Sequence, residues 1–194
     1  MVVWRWRTFT LLALALLAAG WIGGAGSPAP VEARGGGACN QWGNADPMKL
    51  SNGQARAAVL CLVNRQRNRA GLRSLDRDRS LQRAAQRHND RMVGSGCFSH
   101  QCSGEADLGT RLKSSGYLRG NLRRWAYGEN IAWGMERRGT PAAIVGAWMG
   151  SPPHRANILS ASFRELGVGF ATGSPSRKRD PGGIYTIDFG VAVG

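Results

Sequence analysis

Apolar residues recur at helical spacing from Ala55 through Val59, Leu62 and Val63 until Gly71 interrupts them, and Ser51 with Gln54 makes a capping-box pattern just ahead. A first helix is predicted over residues 52–70. A second, over 77–93, gathers Leu81, Ala84, Ala85, His88 and Met92 on one stripe, which assigns His88 to packing. Arg79, Arg83, Arg87 and Arg91 fall on the opposite face, which must be solvated. A weaker helix over 105–115 turns Leu108 and Leu112 inward and stops at Gly116. Pro141 opens another, with Ile144, Val145, Trp148 and Met149 on its buried side. Ser151 then reads as an N-cap followed by two prolines in a first turn, leading to Leu159. Strands appear late. Residues 165–172 set Val168 and Phe170 against Gly167, Gly169 and Ala171, so one face is bulky and the other admits close packing. The last strand alternates Tyr185, Ile187, Phe189, Val191 and Val193 with smaller or polar residues such as Thr186 and Asp188. Helices packed over a sheet, in the α+β class, follow from this order.

The first 33 residues change the picture. Arg5 and Arg7 precede an apolar run over 9–22 that is too short for a comfortable permanent span, and small residues around Ala33 suit cleavage. Residues 1–33 are therefore expected to be a signal peptide, 34–50 a Gly-rich tail or linker, and 51–194 one domain, secreted or periplasmic. A composition of 42% hydrophobic and 20% charged residues is that of a globular chain and excludes disorder for its bulk. The four cysteines are an even count in an exported chain. Cys97 and Cys102 enclose four residues, and pairing them locally leaves Cys39 for Cys61.

Charge adds a candidate partner. Lys and Arg number 26 against 12 Asp and Glu, a net charge of +14, and only three of the 26 are lysines. Guanidinium pairs flat and bidentate with phosphate or carboxylate. The Arg79, Arg83, Arg87 and Arg91 ridge is thus an expected anion-binding surface for phosphate-rich wall polymers or acidic lipid headgroups, with a solvated helix face as the plainer reading. No groove-reading or nucleobase-stacking motif is present, so nucleic acid is not an expected partner. The chain has no His-Glu-x-x-His, phosphate-binding glycine loop, nucleophile elbow or dinucleotide fingerprint.

Six fragments in order carry a resemblance. They are Val63-Asn64-x-x-Arg67, Ala84-Ala85-x-x-His88, Phe98-Ser99-His100, Gly128-Glu129-Asn130-Ile131-Ala132, Trp148-x-x-Ser151-Pro152-x-His154-Arg155-x-Asn157-Ile158-Leu159, and Gly167-Val168-Gly169 with Tyr185-Thr186-x-x-Phe189-Gly190. Together they resemble the CAP superfamily of cysteine-rich secretory proteins, antigen 5 and pathogenesis-related 1 proteins, in its bacterial form. The resemblance implies a single-domain three-layer α-β-α sandwich with a mostly antiparallel sheet. It also implies a cleft that in plant and animal members holds two histidines and two glutamates around a divalent metal.

Here His100 matches the first histidine and Glu129 the glutamate of the Gly-Glu-Asn piece. Ser151 stands where the second glutamate would follow the tryptophan, and Ile184 where a histidine would precede Tyr185. His154 is then the candidate that completes a trio with His100 and Glu129, flanked by Asn130 and Ser151 as ligand-binding candidates. Two imidazoles and a carboxylate can hold zinc if their donor atoms converge. The alternative is structural hydrogen bonding by the same groups. Trp125, Tyr127 and Trp133 are open between core and ligand platform. The expectation for function is a monomeric extracellular binding module for an anionic or lipidic ligand, a small apolar molecule included. A metal-dependent hydrolase built on His100, Glu129 and His154 is the alternative.

Overall fold

A computed structural model describes residues 36–175 and 180–194; the expected signal peptide lies outside the described residues. In chain order the elements are α1 (Gly36–Trp42), α2 (Asn52–Arg69), β1 (Asp76–Arg77), α3 (Arg79–Ser95), α4 (Leu108–Ser114), β2 (Arg124–Met135), α5 (Pro141–Gly150), α6 (Pro152–Ile158), β3 (Glu165–Thr172) and β4 (Gly182–Val193). Short 3-10 turns occupy Pro47–Lys49 and Glu136–Gly139.

Local chemistry explains most of the boundaries. At the start of α2 the Ser51 hydroxyl accepts from Gln54 N while the Gln54 side chain accepts from Ser51 N, the reciprocal box expected. Asp78 accepts from Ser80 N and Leu81 N to start α3, and Gly96 closes it with a positive φ of 66°. Asp107 and Thr140 cap α4 and α5 in the same way. Ser151 does occupy the N-cap position of α6, but its hydroxyl caps nothing there. It bonds instead to the ring of His154.

The sheet order is β1-β3-β4-β2. β3 pairs with β4 and β4 with β2, both antiparallel, while the two-residue β1 lies parallel to β3, so the sheet is mixed. The α2, α5 and α6 layer covers one face, where Val59, Val63, Ile144, Trp148, Phe170, Tyr185, Ile187 and Phe189 form the main core. Helices α3 and α4 cover the other through Leu81, Ala84, Met92 and Leu112. This is the three-layer sandwich expected. Because both faces are covered, Thr186 and Asp188 in β4 are wholly buried rather than solvated.

Residues 34–50 differ from the expected tail. From Gly36 onward they form α1 and a 3-10 turn, because the Cys39–Cys61 disulfide ties them to α2, Trp42 packs on the main core, and Gly43 O accepts from Ala142 N. The Cys97–Cys102 bridge closes the loop after α3, and no described cysteine is free. Arg67 illustrates how polar residues hold the layers. It is 1% exposed, and its guanidinium donates to the carbonyls of Arg73, Ile158 and Ser160, fixing α2 to the end of α6.

Candidate functional site

Glu129 sits midway along β2, on the face toward α3 and α4, directly across from Asp188 of β4. Residues opposed in an antiparallel pair project to the same side, so the two carboxyl groups are neighbours. The Glu129 side chain is only 3% exposed, and both its oxygens are taken. Oε1 meets His100 Nδ1 at 2.8 Å and Oε2 accepts from Arg111 Nη2 at 2.8 Å. The same Nη2 donates to the carbonyl oxygen of His100 at 3.0 Å. Arg111 thus fixes both the carboxylate and the disulfide-closed loop that carries the imidazole. The His100 side chain itself is 58% exposed, with Nε2 free to face a ligand.

Charge in this cluster is distributed by burial. Burial pushes the Glu129 carboxyl up, but the His100 hydrogen bond, the Arg111 guanidinium and His88 outweigh it, so its pKa lies below the ordinary glutamate value. Asp188 goes the other way. Wholly buried, next to the Glu129 charge and met by no N–H or O–H donor, it is held well above the ordinary aspartate value. The two opposed carboxyl groups are thus pushed in opposite directions, Glu129 toward its ionised form and Asp188 toward its protonated one.

The linkage sign follows for each group. Glu129, depressed, contributes stability above the ordinary glutamate value of 4.5 that is lost as pH falls through its folded pKa. Asp188, raised, costs stability progressively as pH rises above 3.8, because the unfolded chain ionises there first. Asp188→Asn keeps the shape of the side chain and cannot ionise. It should stabilise the domain at pH 7 by on the order of 1 kcal/mol, a gain that vanishes near pH 3. Urea melts at the two pH values check this, and an equal effect at both would contradict a raised Asp188 pKa.

The other expected residues divide. His154, in α6, has its pKa lowered by burial first and then by His100. Its Nδ1 bonds Ser151 Oγ at 2.8 Å. Asn130, by contrast, points to the opposite side of β2 and is wholly buried. It donates to His154 O and accepts from Asn157 Nδ2, so it anchors α6 and takes no part in the Glu129 cluster. His88 is buried as its stripe predicts, but its Nδ1 pairs with both Glu105 oxygens, at 2.9 and 3.0 Å. Arg79, Arg83, Arg87 and Arg91 are exposed, as expected of the ridge. Two of them are nevertheless tethered, Arg83 to Ser115 O and Arg91 to Ser103 O.

Arg111, Asp188 and Glu105 escaped the sequence reading. A signal existed for Arg111: it lies one position from Leu112 and three from Leu108 on a helix whose inward side those leucines define. A cation there asks for a buried anion.

These residues do not fit a divalent metal. Glu129 has no oxygen left, His154 turns Nδ1 to Ser151, and Ile184 is an apolar residue packed with Met92 and Ile131. Among the described residues no group of three or more His, Cys, Asp or Glu side chains is placed to hold a metal ion. His100 and Glu129 meet, but His100, Glu129 and His154 are not the ligand set expected. The positive charge beside Glu129 is supplied by Arg111.

The family model for the cysteine-rich secretory proteins, CAP, matches residues 60–189 and so spans every element from α2 into β4. The chain belongs to the CAP family. Residues of this CAP domain are 33% identical over 131 positions to the uncharacterized protein YkwD of Bacillus subtilis strain 168, covering 68% of this chain and 45% of YkwD. The uncharacterized membrane protein YlbC of the same organism is 32% identical over 111 positions, covering 57% of this chain and 30% of YlbC. The chain thus spans less than half the length of these relatives.

Among solved structures, an extracellular SCP-domain protein of Bacillus anthracis strain Ames matches with a TM-score of 0.57 and 27% identity, over 71% of this chain and 40% of that one. An outer surface protein of Borrelia burgdorferi shares the fold, with a TM-score of 0.57 at 17% identity over 69% of this chain and 90% of its own. No helix among the described residues of the CAP domain is long and apolar enough to cross a membrane.

Proposed function

We propose that this CAP domain is a binding module of the cell exterior, and that the His100 and His154 face of its cleft takes a phosphate-bearing group of an envelope polymer or lipid. The observation that carries the reading is the saturation of Glu129. A carboxylate sealed from water, with one oxygen on an imidazole and the other on a guanidinium, is not a free base for hydrolysis. What it can do is hold the His100 ring by its Nδ1, leaving the Nε2 edge of a half-exposed imidazole for a ligand. His154 feels the His100 ring electrostatically, and the net charge of +14 gives the surroundings a field that favours anions. Support for an exterior address comes from the N-terminal signal pattern, the two disulfides and the extracellular SCP-domain protein among the solved relatives. A metal-dependent hydrolase on the same residues is disfavoured by the geometry that fills Glu129.

Phosphatidylglycerol vesicles and soluble poly(glycerol phosphate) are suitable probes against neutral phosphatidylcholine vesicles. Binding to one anionic probe should weaken by about tenfold or more between roughly 50 and 300 mM salt. The double variant His100→Ala/His154→Ala should weaken it further at fixed salt, while Arg79→Gln/Arg87→Gln tests the ridge separately. Full affinity in the histidine variant, or binding indifferent to salt, would refute the cleft reading.

A further inference from the structure

Trp125 and Tyr127 precede Glu129 by four and two residues on β2, so all three project from one face of the strand. Glu129 is covered, but Trp125 is 55% exposed, more than any other large apolar side chain among the described residues. The two rings are stacked nearly parallel, with centroids 5.6 Å apart and planes 11° from each other. They form one wall of a cavity of about 630 Å³ whose rim is Asp107, Thr110, Lys113 and Asn121.

The wall is built closely. A Cβ at Gly109 would lie 2.7 Å from the Tyr127 hydroxyl, so a side chain there would push the ring aside. Asp107 is fixed in place by accepting from Thr110 N and Thr110 Oγ1. No hydrogen bond within the described residues engages the Lys113 ammonium, the Asn121 side chain or the Tyr127 hydroxyl.

We infer that this cavity is a saccharide site, in which a pyranose ring stacks on the Trp125–Tyr127 platform while its hydroxyl groups meet the rim. The chemistry narrows the class. Exposed, preorganised aromatic faces seek a flat apolar surface, and a sugar ring offers one on its C–H side. The rim offers a carboxylate, an ammonium, an amide and hydroxyls in one ring of contacts, which suits the dense hydroxyls of a sugar and is wasted on an acyl chain. One acidic and one basic group cancel, which favours an uncharged ligand. A nucleotide would stack equally well but would bring phosphate against Asp107. The volume lies within the range of small-molecule sites and admits a short oligosaccharide. This inference is independent of the phosphate-binding reading of the His100 cleft.

The test is an NMR titration of the exported protein with chitotriose, cellotriose and maltotriose, watching the tryptophan indole N–H signals and the backbone amides of residues 109–113. At least one saccharide should produce saturable shifts there. Trp125→Ala, an exposed substitution checked by unchanged thermal unfolding, should raise its Kd by about tenfold or more, and Met48→Ala, exposed and outside the cavity lining, should leave it unchanged. The inference is overturned if no saccharide moves these signals up to about 10 mM, well above a millimolar Kd. It is overturned equally if Trp125→Ala binds as tightly as the parent, or if adenosine occupies the site as tightly as the best saccharide.

Discussion

Replacing Arg111 by methionine should destabilise the domain by about 3–5 kcal/mol, the cost typical of removing one partner from a buried ion pair. Arg111 is 8% exposed and Glu129 only 3%, so neither charge can turn to water when the other is lost. The Glu129 carboxylate would be left against Asp188 with His100 as its remaining partner, and it would be driven to take up a proton. The loop that carries His100 would lose its Arg111 tether to the His100 carbonyl as well. Urea denaturation followed by circular dichroism measures the loss as a lower midpoint at unchanged slope. The pairing itself is tested by the double variant Arg111→Met/Glu129→Gln. Neutralising the stranded carboxylate should recover part of the loss, on the order of 1–3 kcal/mol of coupling. If the single variant costs under about 1 kcal/mol, or the double adds the two single losses without recovery, the ion pair does not organise the site.

Helices with local start signals were legible in the sequence because their chemistry lies within a few residues. The Ser51–Gln54 box and the prolines opening α5 and α6 all sit where the pattern places them. The strand β2 was not. Its core-facing positions Ala126, Gly128, Asn130 and Ala132 are small or polar, since Asn157 and Phe163 press against Gly128 and Asn130 is spent on α6. Its other face mixes Trp125, Tyr127, Glu129 and Ile131, so neither reads as a clean apolar stripe. The candidate site was half legible for a related reason. His100 and Glu129 were found through the family motifs, and they do meet. Arg111 and Asp188 reach the cluster from α4 and β4, separated from Glu129 by 18 and 59 positions. A polar residue alternating with Ile187 and Phe189 is expected to face solvent unless a second helical layer covers it, which alternation within one strand cannot reveal.

Gly169→Ala should be as damaging as the loss of Arg111, about 3 kcal/mol or more, although it adds a single methyl group. The glycine lies in β3 beneath α3, and a Cβ there would come well inside 3.0 Å of the Ala85 carbonyl group and the Gln86 nitrogen. Those are helix backbone atoms, not the flexible end of a side chain, so α3 itself would have to lift from the sheet. Gly167 makes the same demand one turn earlier, against Leu81 and Gln82. Overpacking of this kind typically costs about 1–3 kcal/mol, occasionally more. Here the bonds that dock α3 add to it, because Gln86 both donates to Phe170 O at 2.9 Å and accepts from Phe170 N at 3.1 Å. Asn89 likewise donates to Ile184 O and accepts from the Thr186 hydroxyl. Each stretched or broken bond is worth about 1 kcal/mol. Gly146→Ala in α5 is the matched control. That glycine is exposed, a methyl group added to it would meet nothing within 4 Å, and alanine there should stabilise by about 0.5–1 kcal/mol. Opposite signs for the two substitutions in the same thermal melt would establish that the glycines of β3 are set by the approach of the helix. A loss at Gly169 below about 1 kcal/mol would mean that α3 can ride higher on the sheet than this packing allows.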